Sequence, residues 1–394
     1  SATPGSSTVT AAPTPTRTSS DRRPTTPDEP RPRSDRALLL GFVLAVLGGL
    51  WLFFGLLFLP DAVGWGYDYQ SYVNAAERLT ETGTLYPAWA LEAEYRTGSI
   101  DNYYYTPPPG IVVGLFDRLF GDLAVSAWFL GHVAALAAAC ALIPAPTWVR
   151  LAIFGVVALS YGAMRDLVLG NVSVLLLLPL VMAWRWLDRP AGAVAQAVAM
   201  AVRPPLGVLL VWQLLRRQWR AVAWTIGAGL VLIALSLPFV GLGGYVDYLT
   251  VLGNLSGLTG EENNLDLSSW AVALGADEPM AQLALYASYA MGIAAIGLSL
   301  RRDREIGFVV TATASLLLMP LLWDHYLAML MLPAALLAAR GRPWGLVLPL
   351  LSWLPPVALP FVVIAGVWLP FTARDRAAGT AVEASPPATV LQGA

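Results

Sequence analysis

Asp68 stands in the run Gly66-Tyr67-Asp68-Tyr69-Gln70-Ser71-Tyr72, a lone carboxylate among tyrosines just beyond the first long apolar segment. A partly desolvated carboxylate at an interface can be tuned to take a proton from a sugar hydroxyl. The stretch around it, Asp61 to Pro109, carries seven acids against two arginines, with eight tyrosines and two tryptophans. Flat rings stack on pyranose faces and carboxylates accept hydroxyl protons, so this composition suits carbohydrate chemistry. The same composition also fits a solvated loop whose Tyr and Trp sit at lipid headgroups. No Asp-x-Asp pair occurs in the loop, which disfavours a metal-bridged nucleotide-sugar donor.

A second group of residues suits an anionic leaving group. Arg203 interrupts the apolar segment 192–215 at Arg203-Pro204-Pro205, and Arg165 precedes Asp166 and Gly170-Asn171. The planar guanidinium fork matches phosphate oxygens. In a water-poor site one such donor stabilises a developing phosphate charge by about 3 kcal/mol. Arg165 can instead be a helix-end charge paired with Asp166. Asn171 adds an amide donor. His325 follows Asp324 at the start of an apolar segment, where Asp324 can orient it or it can meet a donor phosphate; its alternative is a satisfied interfacial histidine. Asn254, Asn263, Asn264, Ser268 and Ser269, in the loop 241–278, could hydrogen-bond acceptor hydroxyls or serve as ordinary loop residues. The chain has two histidines, His132 and His325, and one cysteine, Cys140, in an apolar run. Neither a metal site nor a disulfide is expected.

These residues need a membrane to hold them. The chain is 57% hydrophobic and 13% charged, where soluble domains carry about a quarter charged residues. All 24 basic residues are arginine, and the net charge of −2 gives no case for nucleic-acid binding. Residues 1–36 are rich in Pro, Ser and Thr with six arginines, too polar to order themselves, and are expected to form a disordered cytoplasmic tail. Residues 37–60 carry no charge over 24 positions, enough helix to span a ~30 Å hydrocarbon core. The segment is too long for a signal-peptide core and is expected to be retained as the first helix.

Further apolar segments fall near 122–143, 148–163, 168–187, 192–215, 219–240, 280–298, 305–322, 325–340 and 343–370, and the chain beyond 371 reads as a disordered tail. The fold expected is therefore an all-α polytopic integral membrane protein of about 10–12 transmembrane or re-entrant helices, over 37–371. Arginine-rich turns face the cytoplasm. With a cytoplasmic N-terminus, one parity places Arg150, Arg185, Arg216, Arg301, Arg340 and Arg374 inside. It places the 61–109 loop, Arg165–Asn171, the 241–278 loop and Trp323-Asp324-His325 outside. That parity requires 108–120 to stay a short surface segment and 192–215 not to cross. The latter then reads as a re-entrant pair of half-helices with Arg203 at its tip, a costly placement that points to function. The alternative is one kinked helix.

The run Tyr67-Asp68-Tyr69-Gln70-Ser71-Tyr72-Val73-Asn74-Ala75-Ala76, then Gly83 and Tyr86, then Tyr103-Tyr104-Tyr105-Thr106-Pro107-Pro108, resembles glycosyltransferase family 87. Leu169-Gly170-Asn171-Val172-Ser173 is similar to that family's Gly-polar-x-Asn leucine helix. Arg203-Pro204-Pro205 with Arg216-Arg217-Gln218-Trp219-Arg220 resembles its basic-Pro segment, and Met319-Pro320-Leu321-Leu322-Trp323-Asp324-His325 its Ser-Pro-x-x-Trp-Asp-His motif. Arg203 stands where lysine is commoner, and Met319 where serine is usual. The resemblance implies a GT-C type fold with a large first extracytoplasmic loop, in a multi-pass protein of the bacterial inner (plasma) membrane. It implies a polyprenyl-phosphate sugar as donor, mannose first and arabinofuranose second, and a lipid-linked or polysaccharide acceptor of the cell envelope. Asp68 is then the base and His325 a second essential polar group, with Arg203, Arg165, Asn171, Asp324, Tyr72 and Tyr105 holding the donor phosphate and substrate. No cofactor or metal is implied, and the partners are these substrates and membrane lipids. A rival from another class is a transporter of lipid-linked sugars, since 192–215 is a broken segment; no matching break or internal repeat accompanies it.

Overall fold

The computed structural model describes residues 32–58, 65–92, 100–255 and 264–375. The two expected tails thus fall largely outside the described residues, as do 59–64, 93–99 and 256–263, with Asn263 among the last. Within the described residues the regular elements are all helical. In order they are α1 (Pro32–Phe58), α2 (Tyr67–Thr82), α3 (Ala88–Leu91), α4 (Pro107–Phe120), α5 (Ala124–Leu142), α6 (Thr147–Ala158), α7 (Tyr161–Leu169), α8 (Ser173–Arg185) and α9 (Pro190–Val202). Then come α10 (Val208–Leu215), α11 (Trp219–Val240), α12 (Gly243–Leu255), α13 (Leu267–Ala273), α14 (Glu278–Ser299), α15 (Arg304–Ala314), α16 (Met331–Ala339) and α17 (Leu359–Trp368). α1 starts at Pro32, inside the segment expected to be disordered tail.

The outer helices carry their apolar residues outward. Leu39, Phe42 and Phe53 of α1 are 62%, 56% and 54% exposed, and Leu235 of α11 and Ile293 of α14 are equally open. A contiguous apolar face of that extent belongs against lipid, not water. α1 reaches the bundle through small residues instead. A side chain at Gly155 of α6 would lie 2.2 Å from the Leu44 carbonyl, and one at Gly48 would lie 2.9 Å from Gly155. Close backbone approach of this kind is how helices pack within a bilayer.

Fewer helices are long enough to cross than the apolar segments suggested. Among the described residues Asp35–Phe58, Pro107–Leu142, Trp219–Val240 and Glu278–Ser299 qualify, and α6 with α7 makes a fifth if that pair, bent by 58°, is one span. The segments 148–163, 168–187, 305–322, 325–340 and 343–370 do not run as single helices. α8, for example, has 13 residues, about 20 Å against a ~30 Å core. The physical reason is visible in the chain's prolines and in where these pieces lie. Phe308 to Thr313 and Leu327 to Leu337 are buried on every side, so they form the centre of the bundle rather than its lipid-facing rim. There the irregular backbone after α15 finds protein partners. Asn264 donates to the Pro320 carbonyl at 2.8 Å and accepts from the Leu322 amide at 2.7 Å, while the Leu265 amide donates to the Leu322 carbonyl at 2.7 Å. Non-helical backbone at depth survives only when satisfied in this way.

The 108–120 segment is a helix, α4, of 14 residues. One face lies on α2, where Gly114 would bring a side chain within 2.2 Å of Ala76, and the other exposes Val112, Leu115 and Leu119. Segment 192–215 folds back on itself. The side-chain amides of Gln196 in α9 and Gln213 in α10 exchange hydrogen bonds of 2.8 and 3.2 Å. On one continuous helix these positions would be about 25 Å apart. Arg203-Pro204-Pro205 forms the tip of this hairpin.

The arginine-rich turns meet at one end of the bundle. Arg216 donates to the Arg302 carbonyl at 2.8 Å, Arg302 holds Asp375 and the carbonyls of Phe371 and Ala373, Arg304 pairs with Asp188, and Arg340 holds Asp303 and Glu305 at 2.9 Å.

Candidate active site

At the first turn of α2, the chain enters from Gly66, whose left-handed backbone (φ 75°) turns it into the helix. The Gly66 amide donates to the Val168 carbonyl at 2.9 Å, which ties the start of α2 to the end of α7. The helix then buries Tyr69, Tyr72, Val73 and Ala76 along one face, and Tyr69 Oη donates to Asp117 of α4 at 2.7 Å. Asp68 is thereby fixed at the edge of a cluster of polar side chains, itself half-buried.

Asp68 Oδ2 accepts a hydrogen bond from Asn171 Nδ2 at 2.8 Å. The same Nδ2 donates to Tyr105 Oη at 2.9 Å. Asn171 Oδ1 is already occupied by the Val172 amide at 2.7 Å and by Ser173 Oγ at 3.1 Å. Those donors fix which end of the amide faces Asp68. Asn171 sits in the turn between α7 and α8, and Gly170 before it has φ 66°; a Cβ there would meet Tyr69 Cβ at 2.7 Å. Only glycine suits both the dihedral and the space.

The other part of the cluster comes from the turn after Trp323. Asp324 Oδ2 accepts from Arg165 Nε at 2.8 Å and its Oδ1 from the His325 amide at 2.8 Å. His325 is buried, with its ring edge-on to Tyr326 at 4.3 Å between centroids. Its Nδ1 lies 3.6 Å from Asp324 Oδ1, near enough for an ion pair but beyond hydrogen-bond range, and neither ring nitrogen has a hydrogen-bond partner among the described residues. Burial pushes the Asp68 carboxyl above the usual carboxylate range; the nearby His325 and the Asn171 hydrogen bond pull against this, and Asp166 and Asp324 add to the rise. Asp68 and His325 thus lie within electrostatic reach of one another, in one polar cluster with Asn171, Asp166 and Asp324.

Arg203 approaches from the hairpin tip. It is 4% exposed. Its two Nη atoms point at the sulfurs of Met329 and Met319, its guanidinium carbon lies 3.7 Å over the Tyr326 ring, and its Nε has no partner. Among the described residues no carboxylate pairs with it. A buried cation facing only thioethers and a π face has lost its water without gaining an anion. Tyr105 stands between the two halves, bonded to Asn171 and within electrostatic reach of Arg203.

Some expected contacts fall elsewhere. Arg165 pairs with Asp324 rather than Asp166. Asp166 is buried and caps α8, accepting from the amides of Ser173 at 2.8 Å and Val174 at 3.0 Å. Tyr72 is fully buried, edge-on to Tyr103 at 6.1 Å and Tyr105 at 5.1 Å, so no ring face is free for a sugar. Asn254 bonds the Ala90 carbonyl, Asn264 the 320–322 backbone, Ser268 the Asp266 side chain, and the Ser269 amide the same carboxylate; all four are structural. Three residues that no role had been given for matter here. Tyr326 cradles Arg203. Trp323 and Tyr104 pair at 6.4 Å, 29° from parallel. Both Trp323 and Tyr326 flank His325 in sequence, which was their available signal.

Beside the polar cluster an apolar groove of about 320 Å³ runs between α4, α5, α8, α9 and α11, with Pro109, Val113, Leu176 and Val198 on its walls. Its lining includes Val172 and Val202, the chain neighbours of Asn171 and Arg203.

Lipid-facing outer helices around a buried apolar centre define a polytopic helical membrane protein. The model of glycosyltransferase family 87 matches residues 103–322, more than half of the chain, and the protein belongs to that family. Asp68 lies 35 residues before the start of that match and His325 three residues after its end. A search of curated proteins gave no match.

Proposed function

We propose that this membrane glycosyltransferase moves a sugar, mannose in the first instance, from a polyprenyl-phosphate donor to a hydroxyl of a cell-envelope lipid or glycan. Arabinofuranose is the second sugar consistent with the family. The Asp68 site faces the extracytoplasmic side. Asp68 takes the proton of the acceptor hydroxyl as its oxygen attacks the anomeric carbon. The bond from that carbon to the phosphate oxygen breaks, and polyprenyl phosphate departs with the electron pair. A single displacement of this kind inverts the anomeric centre, and the absence of an Asp-x-Asp pair in the first loop favours a route without metal.

The observation that carries this reading is Arg203. A buried guanidinium with no paired anion among the described residues, sharing Tyr105 and Tyr326 as electrostatic neighbours with the carboxylate held by Asn171, is a site for a phosphate that the substrate brings. His325, with both ring nitrogens free of hydrogen bonds among the described residues, is the second group able to meet that phosphate or the acceptor. Arg165, committed to Asp324, orients the His325 turn and supplies one further donor edge. The apolar groove next to Asn171 and Arg203 suits the lipid chain.

The test uses membranes containing the full chain, radiolabelled polyprenyl-phosphate mannose and a lipid extract as acceptor. Acceptor-dependent label transfer is expected. Asp68→Asn, checked for expression and monodispersity, should lower it by ~10²–10⁴-fold. Label that only changes leaflet without changing chemical form would make the protein a carrier and end the proposal.

A further inference from the structure

His132 has no part in the scheme above, yet it is 1% exposed in the interior of α5 and engaged at both ring nitrogens. Nδ1 meets the carbonyl of Trp128 at 2.8 Å and Nε2 the carbonyl of Asn171 at 2.6 Å. A carbonyl oxygen only accepts, so a hydrogen-bearing Nε2 donates to the Asn171 carbonyl. The Asp166 carboxylate lies 3.4 Å from the same Nε2 and favours a proton there. Trp128, one helical turn before His132, donates its indole N–H to the Gly170 carbonyl at 2.9 Å. Two consecutive carbonyls of the turn between α7 and α8 are therefore held by one face of α5. The next amides, those of Ser173 and Val174, are held by Asp166. A buried turn with its backbone groups paired on both sides cannot shift without breaking several bonds.

The side chain this turn carries is Asn171, whose amide points at Asp68. We propose that His132 is a positioning residue for transfer: its Nε2–H on the Asn171 carbonyl sets where the Asn171 amide, and hence the Asp68 carboxylate, stands. The inference rests on Asp68 acting as the base. His132 itself touches neither Asp68 nor substrate. A misplacement of about 1 Å at the reacting groups costs ~10²-fold, so this contact has kinetic weight beyond packing.

Two substitutions of equal polarity separate positioning from structure. In His132→Gln the terminal amide nitrogen reaches toward the place of Nε2 and keeps the Asn171 carbonyl bonded. In His132→Asn it reaches only the place of Nδ1, where the partner is the helix's own Trp128 carbonyl. With the full chain in membranes, His132→Gln should hold kcat within about threefold of wild type. His132→Asn should lose ~10–100-fold in kcat at unchanged donor KM. In the Asn variant the acid limb of the kcat profile should also move to higher pH, because Asp68 loses the aligned Asn171 donor while still facing Asp166, Asp324, His325, Tyr105 and Tyr326. Folded Gln and Asn variants with the same kcat and the same pH profile overturn the proposal. If the Asn variant does not fold, a folded Gln variant impaired tenfold or more in kcat overturns it by itself. Asp68→Asn run in parallel separates the two readings. An inactive Asp68→Asn beside an unaffected His132→Asn refutes only the role of His132, whereas an active Asp68→Asn refutes both.

Discussion

Arg203 shows how a single residue can be held in a state that favours function over stability. Its charge is buried against Met319, Met329 and Tyr326, none of which supplies an anion. Replacing it with methionine, which matches its surroundings, removes a desolvated cation. Arg203→Met is expected to keep or raise the melting temperature in detergent while lowering transfer ~10²–10³-fold; a drop of several degrees would sink the view that the cation is unsatisfied. Asp68 gives a second prediction at this scale. Burial raises its carboxyl above the ordinary range, so the base form is lost on acidification while exposed aspartates are still ionised. The rate should rise with pH through that raised value. A kcat/KM profile flat down to about pH 4, the ordinary Asp value, would contradict it. Asp68 and His325 were readable as candidates from residue type and motif. The engagement of Arg165 by Asp324 and the burial of Tyr72 were not, because each depends on partners well separated in the chain.

Among the elements, the hairpin of α9 and α10 decides where Arg203 sits. The Gln196–Gln213 amide pair closes it. Gln196→Leu or Gln213→Leu alone leaves a buried amide unpaired and should cost about 1–3 kcal/mol, whereas the double substitution should recover most of that loss. Thermal unfolding in detergent reads the difference. Additive single effects would indicate that the two side chains do not meet. Proline at 204 and 205 announced a break, but whether the chain kinks or returns is set by these two glutamines and by the helices around them. The same holds for 305–340. Its apolar composition reads as two spans, while the structure buries it as short helices whose free backbone groups are taken by Asn264 and Leu265.

For the whole molecule, the arginine turns and the Asp68 site, proposed to face opposite sides of the membrane, give a direct test of orientation. Cys140, the one native cysteine, is buried. Single cysteines placed at the exposed Glu81 and Arg301 should therefore report cleanly. An impermeant thiol reagent added to intact cells should label Glu81→Cys, and Arg301→Cys only after permeabilisation. Labelling of both from the same side would remove the extracytoplasmic assignment of the Asp68 site.

Composition alone committed this chain to a membrane, since 13% charge cannot cover a soluble surface. Local order in the sequence also carried the family motifs, because residues a few positions apart on one turn or helix end act together whatever surrounds them. Which polar groups meet is another matter. Asp68 with Asn171 lies 103 positions apart, Arg165 with Asp324 159, and His132 with Asn171 39. Those encounters follow from how short, proline-broken helices fill the interior, and packing in three dimensions leaves no periodic trace along the chain.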